Sequence, residues 1–237
     1  MKSLLLMAAL LGVSLVNAAA TDSARRPVIV ISDIDDTIKD TGVLKEPANT
    51  THSATYRKNY AHLAGDPFRP WKPVDGMAAR FRLWSRHGSA QFIYLSKGPW
   101  CYRSRVLRFL RTNRFPAGDV ALNPHFPISP PGYKRAPIES IIRAHPGCAF
   151  VLVGDSGEDD PEVYGQIAAR FPDSGCHIFI RDITPHGPSR RFAAAFADVP
   201  QTRWQLFTRA SQLPATPLDR STKLPLSHVH ASPAHRR

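Results

Sequence analysis

From residue 27 to residue 180, short β-branched or aromatic runs alternate with segments whose apolar residues recur at helical spacing. The strand-like runs lie at 27–32, 90–95, 120–122, 149–153 and 177–180, and the helical patterns at 76–86, 99–112, 134–145 and 161–171. Strands that alternate with helices in this way predict βαβ units and a parallel sheet. We therefore expect a doubly wound α/β fold, in which helices cover both faces of one parallel sheet.

The first twenty residues are typical of an export signal. Lys2 precedes an apolar run at 4–16, and the alanines at 18–20 match the small-residue cleavage pattern. The run is shorter than the ~20 residues that a membrane-spanning helix needs. We predict that the protein is periplasmic or secreted and has three parts: a signal peptide at 1–20, a domain at 21–210 and a disordered basic tail at 211–237.

The chain is strongly basic, with 31 Lys and Arg against 19 Asp and Glu and a formal net charge of +12. Such a field attracts phosphorylated substrates, anionic membrane surfaces or nucleic acid. Nucleic acid is not expected, because the chain has no nucleic-acid motif and no interleaved aromatic and basic residues. The odd count of three cysteines (Cys101, Cys148 and Cys176) permits one disulfide and leaves the pairing open, although small buried hydrophobes are the favoured interpretation.

Three acids, Asp33, Asp35 and Asp36, directly follow the first strand-like run. In open α/β sheets, ligands bind in the crevice at the carboxyl ends of the strands. Like charges this close raise one another's pKa unless a cation neutralises them, and carboxylate oxygens suit Mg²⁺. The alternative is an acidic turn in which Asp33 caps a helix.

A second group of acids follows the run at 149–153. Asp155 comes directly after that strand, where it would converge with Asp33 as a metal ligand. Asp160 precedes Pro161 and suits either a helix N-cap or the metal, with Asp159 as its rival. Ser96 ends one strand and Lys134 begins one helix, and both side chains suit contacts with phosphoryl oxygens.

The order of DxDxT, a strand-ending Ser, a Lys and GDxxxxD resembles the haloacid-dehalogenase-like superfamily of phosphotransferases. More narrowly, the chain resembles the catalytic domain of the Mg²⁺-dependent phosphatidate phosphatases of the actin-patch-associated type. The strings that carry the resemblance span about 28–183: SDIDDTIKDTGV, FIYLSKGPW, FPAGDVAL, FVLVGDSGEDDPEVY and IFIRDI. The resemblance implies a Rossmann-like core with a small insertion after the first strand, at 40–73, and no large cap domain.

The resemblance also implies roles for individual residues. Asp33 would attack phosphorus to form an aspartyl-phosphate, and Asp35 would act as general acid and then general base. Thr37, Ser96 and Lys134 would bind phosphoryl oxygens. Mg²⁺ would be bound by the carboxylates of Asp33 and Asp155 and by the backbone carbonyl of Asp35, with Asp160 nearby or bound through water.

One departure from the family pattern follows Ser96, where Lys97 and Gly98 replace a small residue and a Ser. Lys97 would either contact phosphate or point to solvent, and solvent is the preferred interpretation.

The reaction that the resemblance implies is hydrolysis of phosphatidate to diacylglycerol. A basic helix at 102–114 would either contact an anionic membrane surface or form a solvated face. Two alternatives remain: a phosphatase for soluble or protein substrates, and an exported basic binding protein on a catalytically dead phosphatase fold.

Overall fold

The computed structural model describes residues 26–42, 71–86, 90–125, 130–183 and 189–218. The expected signal peptide at 1–20, most of the insertion at 40–73 and the tail beyond residue 218 lie outside these residues. Within the described part of the chain, no helix has the length and apolar character needed to cross a bilayer.

One six-stranded parallel sheet organises the domain, and its strand order is β5-β4-β1-β6-β7-β8. From β1 the chain builds outward through β4 to β5, and it then returns to the other side of β1 to add β6, β7 and β8. The strands are β1 (Val28–Ser32), β4 (Gln91–Pro99), β5 (Asp119–Asn123), β6 (Ala149–Asp155), β7 (His177–Arg181) and β8 (Trp204–Phe207), and β2 (Lys39–Asp40) pairs antiparallel with β3 (Lys72–Pro73) outside the sheet. The gap between β1 and β6 is therefore the topological switch point, where ligands bind in doubly wound folds.

Helices cover both faces of the sheet, as the sequence predicts. On β1, Val30 faces one apolar cluster while Ile29 and Ile31 face the other, so the strand is buried on both sides. The helices are α1 (Met77–Arg86) and α2 (Arg103–Thr112) on the first face, and α3 (Arg135–Ala144), α4 (Asp160–Arg170) and α5 (Ser189–Ala195) on the second. The expected doubly wound α/β fold is confirmed.

The structure corrects the expected start of the disordered tail. Residues 211–218 pack against the domain: Leu213 is buried in the first apolar cluster, and Leu218 packs against that cluster. The indole N–H of Trp84 donates to the Pro214 carbonyl at 2.8 Å, and Arg80 donates to the same carbonyl at 3.0 Å. The domain therefore extends past residue 210, because apolar contacts and backbone acceptors fix this segment.

The three cysteines are unpaired. Cys176 is buried, as the favoured interpretation expects for a small hydrophobe, whereas Cys101 is exposed in the middle of a 3-10 turn before α2. The favoured interpretation is therefore wrong for Cys101, because this turn lies at the surface.

Candidate active site

Three buried carboxylates meet at the switch point between β1 and β6. Asp33 follows β1, and its backbone N–H donates to the Val153 carbonyl at 2.8 Å, which continues the β1–β6 ladder by one residue. Asp155 ends β6, and Asp160 begins α4. Carboxylate oxygens of Asp33, Asp155 and Asp160 all lie within 4.8 Å of one another. The two acidic segments that the sequence singles out therefore form one site.

Asp160 belongs to this cluster and is not the helix cap that the sequence alternatively suggests. The helix begins at Asp160 itself, and the Asp160 carboxylate accepts a hydrogen bond from the Lys134 ammonium at 2.6 Å. Close approach of the strand end to this carboxylate requires Gly154, because a Cβ there would clash with Asp160 Oδ2 and lie 2.8 Å from the Tyr164 ring. The glycine of the GDSGEDD segment thus admits Asp160 to the cluster.

Lys134 lies in the centre of the site and is 1% exposed. Its Nζ donates to Asp33 Oδ1 and to Asp160 Oδ1, both at 2.6 Å. Burial alone would lower the pKa of Lys134, but the carboxylates of Asp160 and Asp33 outweigh burial and hold that pKa well above its usual value. Lys134 is therefore an ammonium, and it brings one positive charge to three acids.

The cluster fits a hard divalent cation. Burial, together with the charges of Asp160 and Asp35 and against the opposing charge of Lys134, raises the pKa of Asp33 from 3.8 to about 8. Burial first, and then the charges of Asp33 and Asp160, raises the pKa of Asp155 well above its usual value. Asp33 Oδ2 is buried and has no hydrogen-bond partner among the described residues. Oxygen donors with excess negative charge and a vacant lone pair are what Mg²⁺ and similar ions bind.

These pKa shifts predict how the metal-free protein responds to pH. Because Asp33 has a higher pKa folded (about 8) than unfolded (3.8), the folded state binds more protons between these values. The free energy of unfolding is then expected to fall as pH rises through this window. The slope of that free energy against pH corresponds to the release of up to about one proton per molecule. Urea titrations in chelator at a series of pH values measure this slope. The Asp33→Asn variant should show a shallower one, and an equal slope in both proteins would contradict the prediction.

Asp35 lies beside the cluster rather than in it. Its carboxylate pairs with the Lys39 ammonium and accepts a long hydrogen bond of 3.3 Å from the Ser96 hydroxyl. Ser96 Oγ in turn accepts the Gly98 N–H at 2.9 Å. Thr37 Oγ1 is buried and has no partner among the described residues. The Asp35 carboxylate and the Ser96 hydroxyl thus meet at the carboxyl ends of β1 and β4, and the buried Thr37 hydroxyl follows Asp35 by two residues.

Lys97 contacts protein groups, whereas the sequence favours a side chain that points to solvent. Its Nζ pairs with Asp159 Oδ1 and with Glu158 Oε2, the latter at 3.0 Å. The other oxygen of Asp159 accepts a hydrogen bond from the Gly132 N–H at 2.6 Å, so Asp159 connects the end of β4 to the loops after β5 and β6. The two acids draw the Lys97 ammonium inward. Of the two candidate acids, Asp160 belongs to the carboxylate cluster and Asp159 lies at its rim.

Arg191 on α5 contributes to the site without any signal in the sequence. Its guanidinium donates to the Ser156 carbonyl at 2.5 Å, to the Glu158 carbonyl and to the Glu162 carboxylate at 2.7 Å. It thereby fixes the loop that joins Asp155 to Asp160. Arg181 similarly donates to the Asp36 carbonyl at 2.5 Å. A single arginine in a helix of seven residues has no periodicity or spacing that would identify such a contact.

The chain is similar in sequence to a known family and to two curated proteins. The family described as phosphatidate phosphatase APP1, catalytic domain, matches residues 28–182. The phosphatidate phosphatase APP1 of Saccharomyces cerevisiae is 31% identical over 159 residues, which cover 64% of this chain and 25% of that protein. An uncharacterized protein of Schizosaccharomyces pombe is 30% identical over 166 residues, which cover 67% of this chain and 26% of that protein. The chain thus spans about a quarter of the length of the curated relatives it matches.

Among solved structures, a protein described as a haloacid dehalogenase-like hydrolase, from Burkholderia xenovorans, aligns with a TM-score of 0.45 and 11% identity. The alignment covers 79% of this chain and 95% of that one. The family match covers most of the sheet and every residue of the acidic cluster. The chain therefore belongs to the family of the phosphatidate phosphatase APP1 catalytic domain.

Proposed function

We propose that the chain is a Mg²⁺-dependent phosphatase that hydrolyses phosphatidate to diacylglycerol through an aspartyl-phosphate on Asp33. One observation carries the proposal: the buried Asp33 carboxylate has one oxygen fixed by Lys134 and a second without a partner among the described residues, inside a cluster that fits a divalent cation. A carboxylate nucleophile needs this combination of fixed orientation and an unused oxygen. The name of the yeast relative supports phosphatidate as the substrate.

In the proposed reaction, an oxygen of Asp33 attacks phosphorus and the bond from phosphorus to the leaving alkoxide breaks. The alkoxide takes the proton of the Asp35 carboxyl group, which acts as a general acid. A water molecule then attacks phosphorus in the aspartyl-phosphate and gives its proton to the Asp35 carboxylate. Phosphate leaves and Asp33 is restored, so Asp35 serves both half-reactions.

The phosphoryl group needs donors for its oxygens. Thr37 Oγ1 has no partner among the described residues, and Ser96 Oγ uses its hydrogen only in the 3.3 Å contact with Asp35. The Lys134 ammonium has three N–H groups and donates two of them to carboxylates, so the third could donate to a phosphoryl oxygen. Asp33, Asp155, Asp160 and the backbone carbonyl of Asp35 would bind Mg²⁺, which supplies screening between the anionic nucleophile and the anionic substrate.

Two rival functions predict different results. A phosphatase for soluble substrates would use the same acids and would need no lipid surface. A basic binding protein on a dead phosphatase fold would not need three buried carboxylates around one ammonium. Such a cluster lowers stability, because unpaired buried charge is costly. This cost favours a catalytic site over the binding function.

The test is phosphate release from phosphatidate in mixed micelles, measured with Mg²⁺ and with a chelator. A water-soluble phosphomonoester is assayed in parallel. Mg²⁺-dependent release from phosphatidate is the expected result. Release from the soluble ester alone would retain the phosphatase and reject the lipid, and no release from either substrate would reject the proposed function.

A further inference from the structure

Trp100 is the one exposed large hydrophobic side chain among the residues that the structure describes, at 64% exposure. It directly follows β4, four residues after Ser96, and opens the 3-10 turn Trp100–Tyr102 that leads into α2. An indole combines a large apolar surface with one N–H donor, and such side chains settle where an apolar phase meets water. Its position puts this side chain in a loop at the carboxyl edge of the sheet, where the candidate site lies.

The helix that follows Trp100 is basic on its exposed side. Arg103, Arg108 and Arg111 are exposed and occupy an arc about 140° wide on α2, at about 100° per residue. No residue from 76 to 118 is acidic. Among the described residues these three guanidinium groups form no ion pair. A face that only solvates a helix usually mixes both signs of charge, and this one does not.

Arg103 occupies the first turn of α2, which contains no acidic residue. A positive charge near a helix N-terminus opposes the helix dipole and lowers helix stability slightly. Helix stability therefore does not explain this arginine, whereas an anionic partner outside the protein would.

An aromatic ring connects this surface to the candidate site. The Arg105 guanidinium lies 4.7 Å from the centre of the Trp71 ring, and the Tyr102 ring meets the same indole edge-on at 6.4 Å. The Lys39 ammonium, which pairs with Asp35, lies 4.1 Å from the centre of that ring. The Trp71 indole thus lies between the first turns of α2 and Lys39, the partner of Asp35.

From these four observations we propose that Trp100 and the exposed arginines Arg103, Arg108 and Arg111 form a surface that binds an anionic phospholipid bilayer. Trp100 enters the headgroup region, and the arginines contact lipid phosphates. The surface deepens the proposed function and rests on it, because it would bring the carboxyl edge of the sheet to a lipid phosphate that stays in its membrane. A peripheral contact of this kind needs no membrane-spanning helix.

The test measures binding of the full chain to phosphatidylcholine vesicles with and without phosphatidylglycerol, an anionic lipid that carries no phosphomonoester. Sedimentation gives the partition coefficient, and tryptophan fluorescence reports on the indole environment. The wild-type chain should bind the mixed vesicles preferentially. Arg103→Gln/Arg108→Gln should lower its partition about 25-fold, at about fivefold per cation. Trp100→Ala should lower it about tenfold, as expected for a partly buried large side chain.

The matched control is Arg143→Gln/Arg190→Gln, which removes two exposed arginines from helices on the opposite face of the sheet. It removes the same charge and should change the partition less than about twofold, since charges beyond a Debye length are screened. Equal losses in both double variants would overturn the proposal, because net charge would then explain binding. Unchanged binding of Trp100→Ala, together with equally tight binding of an oligonucleotide, would also overturn it in favour of a general polyanion surface.

A soluble phosphomonoester separates the surface from the proposed function. The surface variants should hydrolyse this ester at the wild-type rate and lose activity only on lipid in vesicles, which supports both proposals. Vesicle binding as predicted without hydrolysis of any ester would reject the proposed function and keep the surface. Hydrolysis of phosphatidate vesicles at wild-type rates by both surface variants would reject the surface and keep the function.

Discussion

Replacing Asp33 with Asn is expected to reduce phosphate release by about 10⁴-fold or more, as loss of a covalent nucleophile does in other enzymes. The amide is nearly the same size as the carboxylate, so the geometry around Lys134 and Val153 is retained. It is not a competent nucleophile, and it leaves the cluster with one negative charge fewer. Initial rates at saturating phosphatidate and Mg²⁺, with purified wild-type protein beside the variant, measure the loss.

Stability separates loss of the nucleophile from loss of the fold. Burial and neighbouring acids raise the pKa of Asp33, so its charge is unfavourable in the metal-free protein and Asn should unfold at an equal or higher temperature. The matched control is Asp119→Asn at an exposed position on β5, which should keep wild-type activity. An Asp33→Asn variant with more than about a tenth of wild-type activity would rule out Asp33 as the nucleophile.

The acidic cluster was predictable because its determinants are local. Asp33 and Asp155 each follow a strand that the sequence marks by β-branched residues, and parallel strands bring their carboxyl ends to one edge. Asp160 joins the cluster because its carboxylate lies against the backbone of Gly154, where a side chain would clash. The sequence shows only that residue 154 is a glycine. Strand position thus reveals which acids meet, while the choice between Asp159 and Asp160 needs three dimensions.

The partners of these acids were not predictable in the same way. Lys97 pairs with acids 61 and 62 positions along the chain, and Arg191 reaches the loop after β6 from α5. A long flexible side chain has many possible directions, so sequence position does not indicate which carboxylate or carbonyl it meets. Sequence position therefore favours solvent for Lys97, although Glu158 and Asp159 draw it inward.

The elements that the sequence missed have weak patterns for identifiable reasons. Strand β8 is an edge strand of four residues, three of which are only partly buried, so it lacks the continuous apolar run of the central strands. Helix α5 has seven residues, too few for two periods of an apolar stripe. The content of Pro, Ser, His and Arg from residue 211 onward predicts disorder, but backbone carbonyls in 211–218 accept hydrogen bonds from Arg80 and Trp84. Backbone acceptors carry no sequence signature.

Replacing Lys134 with Met should destabilise the metal-free protein by about 3–5 kcal/mol at alkaline pH, the usual cost of removing one partner from a buried charge pair. The ammonium contacts Asp33 and Asp160, and without it three buried carboxylates face one another with no cation in contact. The carboxyl groups can relieve the repulsion by binding protons, so the loss should shrink as pH falls. Urea unfolding in chelator at several pH values measures the difference in free energy.

A double-mutant cycle distinguishes charge imbalance from lost packing. Lys134→Met/Asp160→Asn removes one charge of each sign, and it should recover part of the stability that Lys134→Met loses. Lys72→Met, at an exposed position on β3, is the control for the substitution itself and should change stability by less than about 0.5 kcal/mol. If the double variant were as unstable as the single one at every pH, the loss would come from packing. In that case Lys134 would not be the cation that allows three acids to share one buried site.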